Sequence, residues 1–285
     1  MAKIKVAELF YSIQGEGRYM GVPSVFLRTF GCNFTCASFG MPKGEKSIEP
    51  DQIVKRIGEF SSYDMLPLAK TGCDSYASWH PGFKHLSPMM DTDDIARAIE
   101  LTLPHQGWKD EHLVITGGEP LLGWQRAYPA LLDHPKMKGL SELTFETNGT
   151  QMLTSDFKKY LLNWGIKTEG RGVNAVTFSV SPKLSCSGED QAESIQPDVV
   201  MDYLDVGYTY LKFVVATDED IAEAIAAVAK YRYAGFEGPV YLMPLGGVEK
   251  VYALNNRHVA EAAMRLGYRY SDRLQVPLFK NAWGT

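Results

Sequence analysis

His112-Leu113-Val114-Ile115-Thr116-Gly117-Gly118-Glu119-Pro120 passes from an aliphatic, β-branched run into two glycines, an acid and a proline. The run has the composition of a buried strand. The glycines let the backbone approach a ligand closely, and Pro120 suits the first turn of a helix. A strand turning directly into a helix is the building unit of parallel sheets. Turn propensity alone can also generate Gly-Gly-Glu-Pro, so the stretch takes its meaning from what the rest of the chain repeats.

The pattern recurs. Apolar, β-branched or aromatic runs occupy Ser24–Thr29, His112–Thr116, Glu142–Glu146, Ala175–Val180, Tyr210–Val215 and Val240–Met243. Helical spacing separates most of them, at Asp94–Leu101, Asp156–Trp164, Asp220–Tyr231 and Arg257–Leu266. In Asp220–Tyr231, Ile221, Ile225 and Val228 share one face behind a cap at Thr217. Strands alternating with helices predict an α/β fold, a parallel sheet with right-handed crossovers curling into a partial (β/α)6 barrel. Ligands then belong at the carboxyl ends of the strands. Candidate motifs fall there. Cys32 and Cys36 follow the first run, Gly117-Gly118-Glu119-Pro120 follows the second and Glu146-Thr147-Asn148-Gly149 ends the third; Ser179-Val180-Ser181-Pro182-Lys183 ends the fourth, and Lys212 lies inside the fifth.

Composition narrows the function. The chain has 285 residues, 45% hydrophobic and 22% charged, enough for one large core. No linker, repeat or low-complexity tract divides it, so residues 1–285 are expected to form a single domain. A formal net charge of −5 and the lack of a local basic patch argue against nucleic acid and for a small-molecule substrate. No apolar run is of membrane-spanning length, and Met1-Ala2-Lys3-Ile4-Lys5-Val6 leads into a strand-like segment rather than a cleavable signal. The expectation is a soluble, cytoplasmic protein without a membrane partner.

Four cysteines, Cys32, Cys36, Cys73 and Cys186, are too few for a disulfide scaffold in a chain of this length. Cysteines are often small buried hydrophobes, and one of the four is expected to be one. Cys32-Asn33-Phe34-Thr35-Cys36 opens like an iron–sulfur motif, but residue 39 is Phe.

These motifs resemble those of the radical S-adenosylmethionine (SAM) superfamily, and within it the 7-carboxy-7-deazaguanine synthase family. The likeness is carried by Glu8-Leu9-Phe10-Tyr11-Ser12-Ile13-Gln14-Gly15-Glu16-Gly17, Gly21-Val22-Pro23, Phe26-Leu27-Arg28 and Gly31-Cys32-Asn33. It resumes at Cys73-Asp74-Ser75-Tyr76-Ala77-Ser78-Trp79 and continues through the strand-end motifs to Arg273-Leu274-Gln275-Val276. The family has Cys-x3-Cys-x2-Cys; here the third cysteine's context appears only at residue 73. Residues 37–71 are therefore read as an insertion within the cluster-binding loop, tolerable because loop-closure entropy grows slowly with length. Helical spacing over Asp51–Phe60 suggests that it packs. Cys32, Cys36 and Cys73 would bind a 4Fe-4S cluster, with Cys186 the competing third ligand.

The resemblance implies a lyase of 7-deazaguanine biosynthesis, in the queuosine pathway. One iron would stay open for SAM, whose reductive cleavage gives a 5′-deoxyadenosyl radical, and the substrate would be 6-carboxy-5,6,7,8-tetrahydropterin. It places Gly72, Asp74, Gly117, Gly118, Glu119, Ser179, Ser181 and Lys183 around SAM. Ile13, Gln14, Gly15, Glu16, Arg28 and Thr116 would meet the pterin, and the Ser75 hydroxyl would bind Mg2+. A guanidinium suits a carboxylate and a Gln amide suits a pterin edge, although Arg28 also reads as a surface arginine. The family's aromatic residue before the third cysteine is Gly72 here, and Phe39 or Trp79 would replace its packing. An electron donor such as flavodoxin and a homodimer are implied too. Other readings are another radical SAM enzyme, such as a glycyl-radical activator, or a non-catalytic binding protein on this fold. His80 and His85 fit no familiar zinc spacing with Cys73.

Overall fold

The structure, a computed structural model, describes residues 2–166, 175–247 and 249–285. Among the described residues nine strands form one sheet: β1 Lys3–Ile13, β2 Pro23–Thr29, β3 Met89–Asp91, β4 His112–Gly117, β5 Glu142–Thr147, β6 Ala175–Val180, β7 Tyr208–Val215, β8 Val240–Pro244 and β9 Arg269–Tyr270. Their order is β3-β1-β2-β4-β5-β6-β7-β8-β9. The six strands expected from sequence are β2 and β4 to β8, neighbours in that order and parallel throughout. The partial barrel is therefore present, extended at one edge by β1 and β3, which pair antiparallel, and at the other by the short β9.

Side-chain alternation gives this sheet two unlike faces. Leu27, Ile115, Phe145, Phe178, Phe213 and Leu242 are all fully buried members of the main core. Their neighbours Arg28, Thr116, Glu146, Ser179, Lys212 and Met243 therefore point the other way, into the concave interior. Cross-strand register aligns them, Arg28 with Thr116 and Glu146 with Ser179. Five strands thus each carry a polar residue on the same face, four of them within one residue of the carboxyl end.

Helices cover the apolar face. Thr92–Thr102, Ser155–Ile166 and Asp218–Tyr233 contain the predicted segments, and Thr217 caps the last in a full capping box with Asp220. The fourth begins earlier than expected, at Glu249, and also ends at Leu266. The helix expected over 51–60 is instead Glu49–Val54 followed by a separate 3-10 turn, Ile57–Glu59. Gly58 inside that span is a poor helix former, and the helix ends before it. Among the described residues, no helix is long and apolar enough to cross a membrane.

Residues 37–71 leave the sheet and return as a closed excursion. The Gly72 N–H donates to Phe39 O (2.7 Å), and the Glu49 carboxylate accepts from the Thr71 hydroxyl (2.7 Å) and the Lys70 N–H (2.8 Å), closing the neck. Its apolar residues Ile53, Tyr63, Leu66 and Ala69 build a second core with Phe30, Tyr76 and Phe83. Trp283, near the carboxyl end, packs edge-on against Tyr63 and Tyr76 and donates its indole N–H to Leu66 O (2.8 Å).

The opposite end of the barrel is plugged. Tyr19, between β1 and β2, packs with its ring tilted 38° and 4.3 Å from the His112 ring and donates to Glu142 Oε2 (2.6 Å). His112 has no exposure, its Nε2 lies 2.8 Å from Thr144 Oγ1, and burial pushes its pKa down to about 3. The folded state keeps this imidazole neutral while the unfolded chain protonates near 6.5. Its contribution to stability is therefore complete above that pH and is lost as pH falls toward the folded value. Lowering pH from 6.5 to 5 should cost about 2 kcal/mol through this residue. Melting temperatures across that range should fall more steeply for the wild type than for His112→Asn; parallel slopes would refute the assignment.

Candidate active site

The carboxyl ends of the strands surround one cavity, and the cysteine loop that follows β2 forms its wall. Gly31, at φ 118°, turns the chain out of the strand; its carbonyl accepts from the Glu119 N–H (2.7 Å), and Thr29 O accepts from the Gly118 N–H (3.3 Å). A Cβ on Gly118 would collide with the Gly31 carbonyl and come 2.8 Å from the Cys32 Cβ. The two glycines after β4 were expected to admit a ligand, and both line the cavity. What requires the bareness of Gly118 is the cysteine loop itself, and what requires that of Gly117 is Thr29 at the end of β2. Gly118→Ala must push that loop outward, costing about 1–3 kcal/mol. Iron bound per chain after reconstitution should fall with the melting temperature; unchanged values for both would contradict this packing.

Cys32, Cys36 and Cys73 all line this cavity. The closed neck of the 37–71 excursion brings residue 73 back beside residue 36. Cys186 is elsewhere, its thiol directed to Val214 O (3.8 Å). Among the described residues, no three His, Cys, Asp or Glu side chains close into the tight shell of a single metal ion. A cubane cluster asks for something different, one thiolate on each of several irons. His80 is already engaged by the Gly82 N–H and Asp51, away from any zinc role.

Burial pushes the Cys32 thiol up to about 12 and the Cys73 thiol up to about 11, and it carries Cys36 well above its usual range. Lys183 opposes this at all three. Three thiols converging in a low-dielectric pocket suit a cationic cluster, because a bound metal deprotonates its thiol ligands outright. The Phe34 N–H already donates to Cys32 Sγ (3.4 Å), the kind of bond that tunes cluster thiolates.

Of the residues expected around SAM, Gly72, Asp74, Gly117, Gly118, Ser179, Ser181 and Lys183 line the cavity, and Glu119 does not. Glu119 is fully buried behind the wall. Its carboxylate accepts from the Leu121 N–H (3.0 Å), the Thr147 hydroxyl (2.8 Å) and the Asn148 N–H (2.7 Å), which ties the end of β4 to the end of β5. It positions the wall rather than a ligand, with burial pushing its pKa up to about 7. The Ser179 hydroxyl is buried without a well-aligned partner among the described residues, an orphan that a bound ligand would satisfy. Lys183 donates to Ser181 Oγ (3.2 Å). Phe39 and Trp79 both line the cavity, whereas Gly72 stands at φ 77°, a left-handed position that disfavours an aromatic side chain.

The same cavity also holds a charged network. Ile13, Gln14, Gly15, Glu16, Arg28, Ser75 and Thr116 line it. Gln14 donates to Glu146 Oε1 (3.0 Å) and accepts from the Glu16 N–H (3.0 Å). Arg28 is no surface arginine: its Nε pairs with Glu8 Oε2 at 2.8 Å and its Nη1 donates to Ser75 Oγ (3.1 Å). Glu16 is held by Lys212, by Arg273 Nε (3.1 Å) and by Gln275 Nε2 (2.8 Å). Burial would raise the Glu16 carboxyl, but Lys212 and Arg273 reverse this and hold it well below the ordinary carboxylate range. Arg273 also reaches Asp74 Oδ2 (2.5 Å) and Gly246 O (2.6 Å), linking the network to the residue after Cys73. Gln275 packs so tightly on Gly15 that a side chain there would collide with it.

Sequence reasoning assigned no role to Glu8, Arg273 or Gln275, and placed Glu146 at the rim without giving it a partner. For Glu8 and Glu146 a signal existed, an acid on the inward-facing side of a strand. For the carboxyl-terminal pair the only sign was polar residues within a stretch that carried the family likeness.

Known proteins match this arrangement. A protein from Halobacterium salinarum named 7-carboxy-7-deazaguanine synthase is 32% identical, over 98% of this chain and 91% of its own length. The chain belongs to the 7-carboxy-7-deazaguanine synthase family. Family members from Rhodopirellula baltica and Pyrobaculum aerophilum are 28% and 26% identical, covering 100% and 99% of this chain and 90% and 97% of their own. A crystal structure of QueE from Escherichia coli superposes with a TM-score of 0.53 at 20% identity, over 94% of this chain and 93% of that one, and shares the fold. No protein-family model matches the chain.

Proposed function

We propose that this protein is a radical SAM enzyme that contracts the ring of 6-carboxy-5,6,7,8-tetrahydropterin to 7-carboxy-7-deazaguanine with loss of ammonia. The observation that carries the reading is a single cavity lined both by three cysteine thiols and by the Gln14, Glu16 and Arg28 network. When bound, the cluster and SAM supply the one-electron chemistry that begins hydrogen abstraction from the substrate ring.

The chain's own residues bind and orient. Cys32, Cys36 and Cys73 are the cluster ligands in this reading. Gly117, Gly118, Ser179, Ser181 and Lys183 hold SAM between cluster and substrate, and Phe39 and Trp79 offer it apolar walls. Gln14 and Glu16 present an amide and a fixed carboxylate to the pterin's donors and acceptors. Arg28 meets the substrate carboxylate with a planar guanidinium. The excursion and the Trp283 segment shield the cavity from water, which strengthens each of these contacts.

Ser75 Oγ and the Asp74 carboxylate offer hard oxygens for Mg2+, although guanidiniums already engage both. Magnesium at such a site completes its octahedron with water and substrate oxygens. Residues 37–71 count as an insertion in the cluster loop, and the homodimer and the electron donor belong to the same reading. The test is an anaerobic incubation of reconstituted protein with SAM, a reductant, Mg2+ and the carboxylated tetrahydropterin. Both deoxyadenosine and the deazapurine should form. Deoxyadenosine without the deazapurine would point to another radical SAM activity, and a sample that stays colourless would point to a binding protein.

A further inference from the structure

The turn Ser185–Ser187 and the residues after it cross the cysteine loop just before the chain departs into the 37–71 excursion. One oxygen, Glu189 Oε1, accepts from the Thr35 N–H (2.8 Å), the Cys36 N–H (2.6 Å) and the Thr35 hydroxyl (3.1 Å). Beside it, Ser187 O accepts from the Ser38 N–H (3.0 Å). Gly188, at φ 84°, lies so close to Ser38 that any side chain would collide with the hydroxyl. Cys36 itself stands at φ 48°, in the left-handed region that residues other than glycine rarely enter. Two successive N–H groups turned to one side of such a bend form a nest for an anion. A carboxylate 153 residues further along the chain fills this one.

We propose that Glu189 is a positioning residue for the iron–sulfur site: it holds Cys36 in its left-handed conformation, which aims the thiolate, and its charge favours the oxidised cluster. The inference rests on the reading of Cys36 as a cluster ligand. The left-handed backbone is strained, and charge-assisted bonds to both amides offset that strain. The location matters because the excursion begins at the next residue. Without a clamp here, motion of residues 37–71 would be transmitted directly to the ligand. A fixed negative charge beside a ligating thiolate also opposes adding an electron, which lowers the reduction potential. Sequence gives no hint of this, since Glu189 sits in an unremarked loop after Ser181-Pro182-Lys183.

Wild type, Glu189→Gln and Glu189→Ala separate the two effects. In the iron-free full chain, amide exchange at residues 35 and 36 should accelerate about tenfold in Glu189→Ala. Glu189→Gln, whose amide oxygen still accepts, should stay within about threefold of wild type. After anaerobic reconstitution, Glu189→Gln should bind iron fully but show a more positive midpoint potential in an EPR-monitored titration, while Glu189→Ala should bind less iron. Equal exchange in all three proteins would overturn the positioning role. Equal potentials in Glu189→Gln and wild type would overturn the electrostatic one. A wild-type chain that takes up no iron would sink the ligand reading of Cys36 instead, and the exchange data would still judge the clamp.

Discussion

Cys73→Ala should retain no 4Fe-4S cluster after anaerobic reconstitution, while Cys186→Ala should retain it in full. The first removes one of three thiols that share the cavity; the second removes a thiol that does not line it and is directed to the Val214 carbonyl. A cluster left with two protein ligands and a water-accessible edge is expected to fall apart, so the effect approaches complete loss of iron and sulfide. The stability of the metal-free chain should move far less, because alanine replaces a small side chain and leaves a modest cavity. Iron, sulfide and visible absorbance report the first effect and thermal melting the second. An intact cluster in Cys73→Ala, or its loss in Cys186→Ala, would reverse the ligand assignment.

Arg273→Met should be the most destabilising polar substitution in the cavity. The guanidinium is enclosed by Glu16, Asp74 and the Gly246 carbonyl, and its removal releases the part-exposed Asp74 carboxylate and weakens the hold on Glu16. Breaking one partner out of a buried ionic network costs about 3–5 kcal/mol, and the exposure of Asp74 to solvent places this loss at the low end. For a chain of this size that corresponds to roughly 6–15 °C in melting temperature. Arg273→Lys keeps the charge but not the fork that spans three acceptors, so it should fall between the two. Lys212 would still hold Glu16 in both variants, which leaves Asp74 as the group released. A melt of Arg273→Met within 1 °C of wild type would show that the network is worth little. Preserved substrate affinity, measured by calorimetry, would show that Glu16 does not depend on it.

Much of this architecture could be read before folding. The strand runs were long, apolar and punctuated, and each of the six is present, because a parallel sheet buried under helices needs them continuous. The polar residues at their ends were legible for the same reason: Arg28, Thr116, Ser179 and Lys212 interrupt apolar runs at the position where a barrel places its ligands. β9 and β3 escaped notice because two or three residues carry no periodicity. The helix over 51–60 was overextended because hydrophobic spacing continued past a glycine that the backbone did not cross.

Direction was harder than identity. Glu119 was recognised as an acid at a strand end, but nothing in a linear text says whether its carboxylate turns toward the cavity or toward Thr147. The alternation rule governs strands and stops at the turn, which is where Glu119 sits. Long-range partners were invisible for a related reason. Glu189 and Arg273 act on residues more than 150 positions away, and no local pattern encodes which loop a side chain will meet. Cys73 was linked to Cys32 and Cys36 only because the residues around it carried the family likeness; the closed neck supplies the physical reason that so distant a residue returns to their cavity.

The bond from Arg273 to Asp74 spans 199 residues of chain, and that from Trp283 to Leu66 spans 217. A ribosome delivers the cysteines long before it delivers the segment that seals the chamber around them. A nascent chain would therefore expose its thiols to oxygen and stray metals throughout most of its synthesis. In the reading that makes these thiols cluster ligands, maturation falls to the released polypeptide.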